Sequence, residues 1–113
     1  MKTEISWKDF EKLDIRVGTI TEVSEFPEAK RPAWRLVIDF GTGIGKKQSS
    51  AQITVHYKKE DLEGTQVLAV VNFPPKRIAG FMSECLVLGV YDEDNDVILL
   101  QPRSAVLNGQ PVG

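Results

Sequence analysis

One histidine and one cysteine occur in 113 residues, and each scarcity removes a class of function. A lone cysteine, Cys85, excludes an intramolecular disulfide and a multi-cysteine zinc site. It lies in the apolar run Cys85-Leu86-Val87-Leu88, where a free thiol behaves as a small hydrophobe, and Glu84 beside it opposes a reactive thiolate. The lone histidine, His56, stands between Val55 and Tyr57 with no nucleophile near it in the chain. A structural imidazole is therefore expected rather than a general base. Long apolar runs are missing too. The longest, Val67 to Val71, is far short of the roughly 20 residues that cross a bilayer. No apolar stretch of the kind a secretory leader needs follows Lys2. A cytoplasmic chain is expected, without membrane insertion, cofactor, metal or catalysis.

What is present fits one domain over residues 1–113, with 42% hydrophobic and 27% charged residues. That composition can build a core. The net charge of −2 hides a segregation. Between Lys30 and Arg77 there are nine bases (30, 31, 35, 46, 47, 58, 59, 76 and 77) and four acids, a balance of +5. The rest of the chain carries −7. A positive face on an acidic protein can steer an anionic partner, whereas a bare count of charges more often describes a solvated surface.

Local patterns point to a mainly β fold. Ser6 and Asp9 form a helix-start signature, and Trp7, Phe10 and Leu13 give the short helix one apolar face. From Asp14 the period becomes two, predicting a long strand through Val23 with a bend at Gly18. FPEAKRPA (26–33) reads as a loop, and Trp34 to Phe40 as a strand. GTGIG (41–45) lacks the spacing, the hydroxyl residue and the following helix of a phosphate loop, so a glycine turn and a returning strand, Lys46 to Thr54, are expected. Tyr57 to Glu63 should make one helical turn ended by Gly64. Val67–Phe73 and Cys85–Tyr91 read as buried strands around NFPPKRIAGFMSE (72–84), a loop with two prolines and two cations. The acidic tract Asp92–Asp96 lacks the glycine and final glutamate of a calcium loop and reads as a turn. Val97–Gln101 is a last strand, and Asn108-Gly109 a further turn. Such short strands with two helical pieces suggest a small OB-like barrel, with a β-sandwich as the alternative.

Four ordered motifs carry a resemblance: DIRVGTI (14–20), VIDFG (37–41), QSSAQI (48–53) and NFPPKRIAGFMSECLVLG (72–89). From about Phe10 to the end the chain resembles the tRNA-binding domain family. This is the OB-fold module attached to several aminoacyl-tRNA synthetases and also found as free-standing dimers. IDFGTGIGKKQSSAQIT and NFPPKRIAGF are similar to its free-standing CsaA branch, to which a secretion-chaperone role is attached. The resemblance implies a five-stranded Greek-key barrel with a short N-terminal helix and a C-terminal extension. It also implies no catalysis, and binding of tRNA or other structured RNA through shape and phosphates. Lys46, Ser50, Asn72, Arg77 and Ser83 stand where the family has contact residues. Pro74 and Ala79 stand where synthetase-linked members have cations, a loss that Lys76, Lys30 and Arg31 partly offset; Arg35 and Lys47 are further candidates for RNA contact.

The other expectation is a binder of unfolded or pre-secretory polypeptides, with Phe73, Ile78, Phe81 and Met82 as its apolar contacts. A homodimer is expected in either case. Trp7 and Phe10 lie on a helix too short to stand alone, and Val106, Leu107 and Val112 lie in a proline-containing tail.

Overall fold

The computed structural model describes every residue from Met1 to Gly113. Helix α1 (Trp7–Glu11) begins with the expected capping box: Ser6 Oγ accepts from Asp9 N, and Asp9 Oδ2 accepts from Ser6 N. None of its residues is buried. Strand β1 (Ile15–Glu25) is the spine of the molecule. Its first half pairs with β4 (Gln66–Val70), and its second half with β2 (Trp34–Asp39). β3 (Lys46–Ala51) returns beside β2 through the turn at 41–45, where Gly41 and Gly45 have φ of 87° and 81° as the glycine turn requires. β3 stops three residues before the expected Thr54. A connection carrying α2 (Lys59–Leu62) then crosses the barrel end, so β4 meets β1 rather than β3. That crossover gives the sheet order β3-β2-β1-β4-β7, a nearly closed antiparallel barrel.

Gly18 is not a bend. A Cβ there would lie 2.6 Å from Ile38 Cγ2 and 2.7 Å from the Phe40 ring, so the glycine lets the Ile38 and Phe40 side chains lie against the β1 backbone. The irregularity comes later, between Ile20 and Glu22, where a bulge shifts the register against β2. Strict alternation would put Ile20 and Val23 on opposite faces. The bulge turns both into the core, with Leu36, Ile38, Phe40, Ile53, Leu62, Val67 and Ala69.

The run 72–91 departs most from the reading by pattern. The expected loop contains a hairpin, β5 (Lys76–Ile78) with β6 (Phe81–Ser83), turning at Ala79-Gly80. Both turn residues have positive φ, 48° and 81°, the requirement of the tight turn that matches strand twist. The expected strand 85–91 is split. β7 (Leu86–Val87) joins the barrel, while β8 (Gly89–Tyr91) pairs with β9 (Val97–Leu99) in a separate two-stranded sheet. It is also not buried, since Leu86, Val90 and Tyr91 are half or more exposed. The tail runs back along β1: Val17 N donates to Gln110 O, Gly109 N to Val17 O, and Val112 N to Ile15 O. No helix is long and apolar enough to cross a membrane.

Candidate nucleic-acid interface

The barrel is closed by side chains where backbone ladders end. On the outer edge of β3, Gln48 N donates to Glu84 Oε1 (3.0 Å) and Ser50 N donates to Ser83 Oγ (3.2 Å). Only Glu84 N to Gln48 O (2.8 Å) is a backbone bond there. Gln48 Nε2 reaches Met82 O, and buried Ser49 Oγ donates to Cys85 O at 2.9 Å. The β5–β6 hairpin is thus fastened over the end of β3, and what lies beside the fastening is open.

Around that seam three concavities share walls. One of about 460 Å³ is lined by Lys30, Arg31, Ser50, Ile78 and Ala79, with Glu28 on its rim. A second, about 390 Å³, is lined by Ser50, Phe73, Lys76, Ile78, Ser83 and Leu86. A third groove of about 900 Å³ runs from Arg31, Ser50 and Lys76 along Ile53, Val87 and Tyr91. Ser50 belongs to all three. Lys30, Arg31 and Lys76 are exposed and form no ion pair, so their charge is free for an anionic partner.

The structure brings Lys30, Arg31, Ser50, Lys76 and Ser83 together at the seam and sets the other named residues apart. Lys46 and Lys47 lie at the opposite end of β3, roughly 10–13 Å from Ser50 at strand rise. Arg77 follows Lys76 on the same strand and so points to the other face of the hairpin. Arg35 donates from Nε to Glu25 O and lies over the Phe26 ring at 5.5 Å. Asn72 has both ends of its amide engaged, accepting from Asp14 N and donating to Lys12 O, which ties α1 to the end of β4. Ser83 Oγ is engaged by Ser50 N.

Among the apolar candidates, Ile78 and Phe73 face the seam, and Phe73 is 47% exposed. Phe81 is occupied otherwise: its ring meets Phe26 edge-on at 5.4 Å, pinning the hairpin to the 26–33 loop. Met82 is half-buried in β6, with its carbonyl bound by Gln48. At the dimer candidates, Trp7 and Leu107 are 86% and 77% exposed, with Phe10 and Val106 around two-fifths and Val112 half-buried. Residues 110–112 bond to the start of β1, just beyond α1, so helix and tail share one end of the molecule.

Two groups escaped the sequence reading. Glu84 and Gln48 fasten the seam, and their only signal was the alternation of Gln48 and Ser50 along β3. His56 has a partner distant in sequence, with Nε2 2.6 Å from Asp92 Oδ2. The Asp96 backbone N–H, and then His56, hold the Asp92 carboxyl below its ordinary pKa. Burial pushes the Cys85 thiol up to about 11, which fits the inert cysteine expected.

Comparison with known proteins agrees with this architecture. Residues 15–111 match the family described as "Putative tRNA binding domain". The chain is 37% identical to methionine–tRNA ligase of Porphyromonas gingivalis over 109 residues, covering 96% of this chain and 16% of the ligase. It therefore spans about a sixth of the length of such curated relatives. Among solved structures, the chaperone CsaA of Bacillus anthracis is 56% identical, covering 98% of this chain and all of the other, with a TM-score of 0.93. CsaA of Picrophilus torridus is 53% identical over 97% of this chain and all of its own, with a TM-score of 0.91. A family model that spans nearly the whole barrel, together with these near-complete structural matches, means that the chain belongs to the tRNA-binding domain family.

Proposed function

We propose that this chain is a non-catalytic module that binds tRNA through the seam between β3 and the β5–β6 hairpin. The observation that carries the reading is the convergence of Lys30, Arg31 and Lys76, unpaired and exposed, on Ser50. Three cations from two separate segments on a concave, polar-edged surface suit the phosphates of a folded RNA, which is read by backbone and shape. Lys46, Lys47 and Arg77 lie outside the seam and would contribute longer-range attraction. A cytoplasmic site of action and a homodimer joined through α1 and the tail complete the reading. A two-fold pair would set two seams on one assembly.

A second reading has its own observation. The 900 Å³ groove is half apolar in its lining, with Ile53, Val55, Leu86, Val87, Tyr91 and Leu99 along it. An extended, unfolded polypeptide would bury that surface, and the similar CsaA proteins are described as chaperones.

Titration with bulk tRNA at low and physiological salt tests both. The double substitution Arg31→Ala with Lys76→Ala should weaken binding. It should also reduce the log–log salt slope by about 1–2 units, since each phosphate contact supplies close to one. Lys46→Ala with Lys47→Ala should lower affinity less. Equal losses from the two pairs would remove the seam from the reading. Binding of an unfolded polypeptide that persists in high salt would favour the groove.

A further inference from the structure

We propose that His56, Asp92 and Asp96 form a binding site for a divalent transition-metal ion of the Zn²⁺ type, clipping the β8–β9 hairpin to the barrel. The three side chains offer donor atoms that all lie within 4.8 Å of one another. They come from two segments: His56 from the connection between β3 and α2, Asp92 and Asp96 from the hairpin tip. The tract Asp92–Asp96 alone lacks the glycine and final glutamate of a calcium loop. A nitrogen donor from 36 residues earlier changes that chemistry. One imidazole with two carboxylates suits a borderline ion such as Zn²⁺ better than a hard one such as Ca²⁺.

The donors are held from behind. Asp92 Oδ1 accepts from Asp94 N and Asp96 N, both at 2.9 Å, which leaves Oδ2 toward the imidazole. Asn95 at φ 64° and the bond from Asp92 N to Asp96 O (2.8 Å) fix the tip so that Asp92 and Asp96 share one side. The His56 arm is anchored next door. Tyr57 O accepts from Trp34 Nε1, and Tyr57 Oη accepts from Leu99 N, each at 3.0 Å. Asp92 and Asp96 are partly shielded from solvent. A four-coordinate ion needs donors about 3.3 Å apart, given bonds near 2.0–2.1 Å. Binding would replace the hydrogen bond between His56 Nε2 and Asp92 Oδ2 with a bond from each to the ion, with one or more waters completing the shell. Four acids crowd residues 92–96, and no lysine or arginine lies within ion-pair distance of any of them, so an ion would also relieve their repulsion.

The position gives the ion a consequence. Val55, Tyr91 and Asp96 line the far wall of the 900 Å³ groove, and His56 and Asp92 are the neighbours of Val55 and Tyr91. A bound ion would fix that wall against the barrel.

Calorimetric titration of tag-free protein with ZnCl₂ tests the site, with CaCl₂ as the contrasting probe. One Zn²⁺ per chain is expected, and weak or no Ca²⁺ binding. Affinity should fall more than about tenfold in both His56→Ala and Asp96→Asn. Amide resonances of 55–57 and 91–97 should shift on addition of ZnCl₂ while those of the seam stay still. Undiminished Zn²⁺ binding in His56→Ala would overturn the proposal, as would Ca²⁺ binding tighter than Zn²⁺. Absence of binding in the wild-type chain would overturn it as well. The RNA reading is untouched by any of these results, because neither substitution lies among its cations.

Discussion

The two sides of the barrel are built by different means. On the closed side β1 is bonded along both edges, to β2 and β4 and, over residues 15–17, to the tail. Its packing is so close that position 18 has no space for a methyl group. On the seam side β3 meets residues 82–85 largely through side-chain oxygens, and exposed apolar residues and free cations gather beside it. Continuous backbone pairing is indifferent to sequence and leaves nothing over for a partner. A seam closed by side chains keeps backbone edges satisfied while leaving a concave surface open. Stability is concentrated on one side and the proposed binding surface lies on the other.

Several substitutions would break or sharpen that contrast. The largest effect should come from Gly18→Ala on the closed side. Its methyl would meet Ile38 and Phe40 at under 3 Å, so a loss of about 1–3 kcal/mol is expected in chemical denaturation. A loss below the error of the fit would mean that β2 can move aside, and that the closed side is less rigid than described.

Ser83→Ala on the seam should cost less, about 1 kcal/mol, because it removes the acceptor of Ser50 N without disturbing the core. Amide exchange should quicken at residue 50 and across 76–83, while β1 and β4 keep their protection. A loss as large as that of Gly18→Ala would erase the distinction.

Cys85 reports the dryness beneath the seam. Burial raises its pKa to about 11, so the neutral thiol is favoured in the folded chain. This contribution is fully present below the unfolded value near 8.5, and it is lost as pH rises toward 11. Alkylation by iodoacetamide at pH 8 should therefore be slow in the folded protein and fast in denaturant. Fast alkylation of the folded chain would show that the seam opens readily.

The smallest change should be a gain. Ala79 has φ of 48°, where an L side chain is strained, so Ala79→Gly should stabilise the hairpin by under about 1 kcal/mol. A thermal midpoint raised by a degree or two would support the turn described. A lowered one would count against it.

The sequence by itself determined whatever depends on neighbours a few residues apart. The capping box at Ser6 and Asp9, the alternation through Leu36, Ile38 and Phe40, and the glycine turn at 41–45 all follow from local chemistry. The ordered motifs supplied the barrel and the family. Among the named RNA residues, local chemistry singled out the cations but not their grouping. Only the tertiary structure decided that Lys30, Arg31 and Lys76 meet at Ser50 while Lys46 and Lys47 lie at the far end of the same strand. It likewise decided that Asn72 and Ser83 hold backbone groups, that Phe81 rests on Phe26, and that His56 finds Asp92. The reason is physical. A strand's period fixes which face a side chain takes, but which faces meet depends on a bulge at 20–22, a hairpin inside a proline-rich stretch and a seam without a continuous ladder. The bulge and the seam join residues 15 to 36 positions apart, and the Phe26–Phe81 and Asp14–Asn72 contacts residues more than 50 apart, and no local pattern encodes those distances.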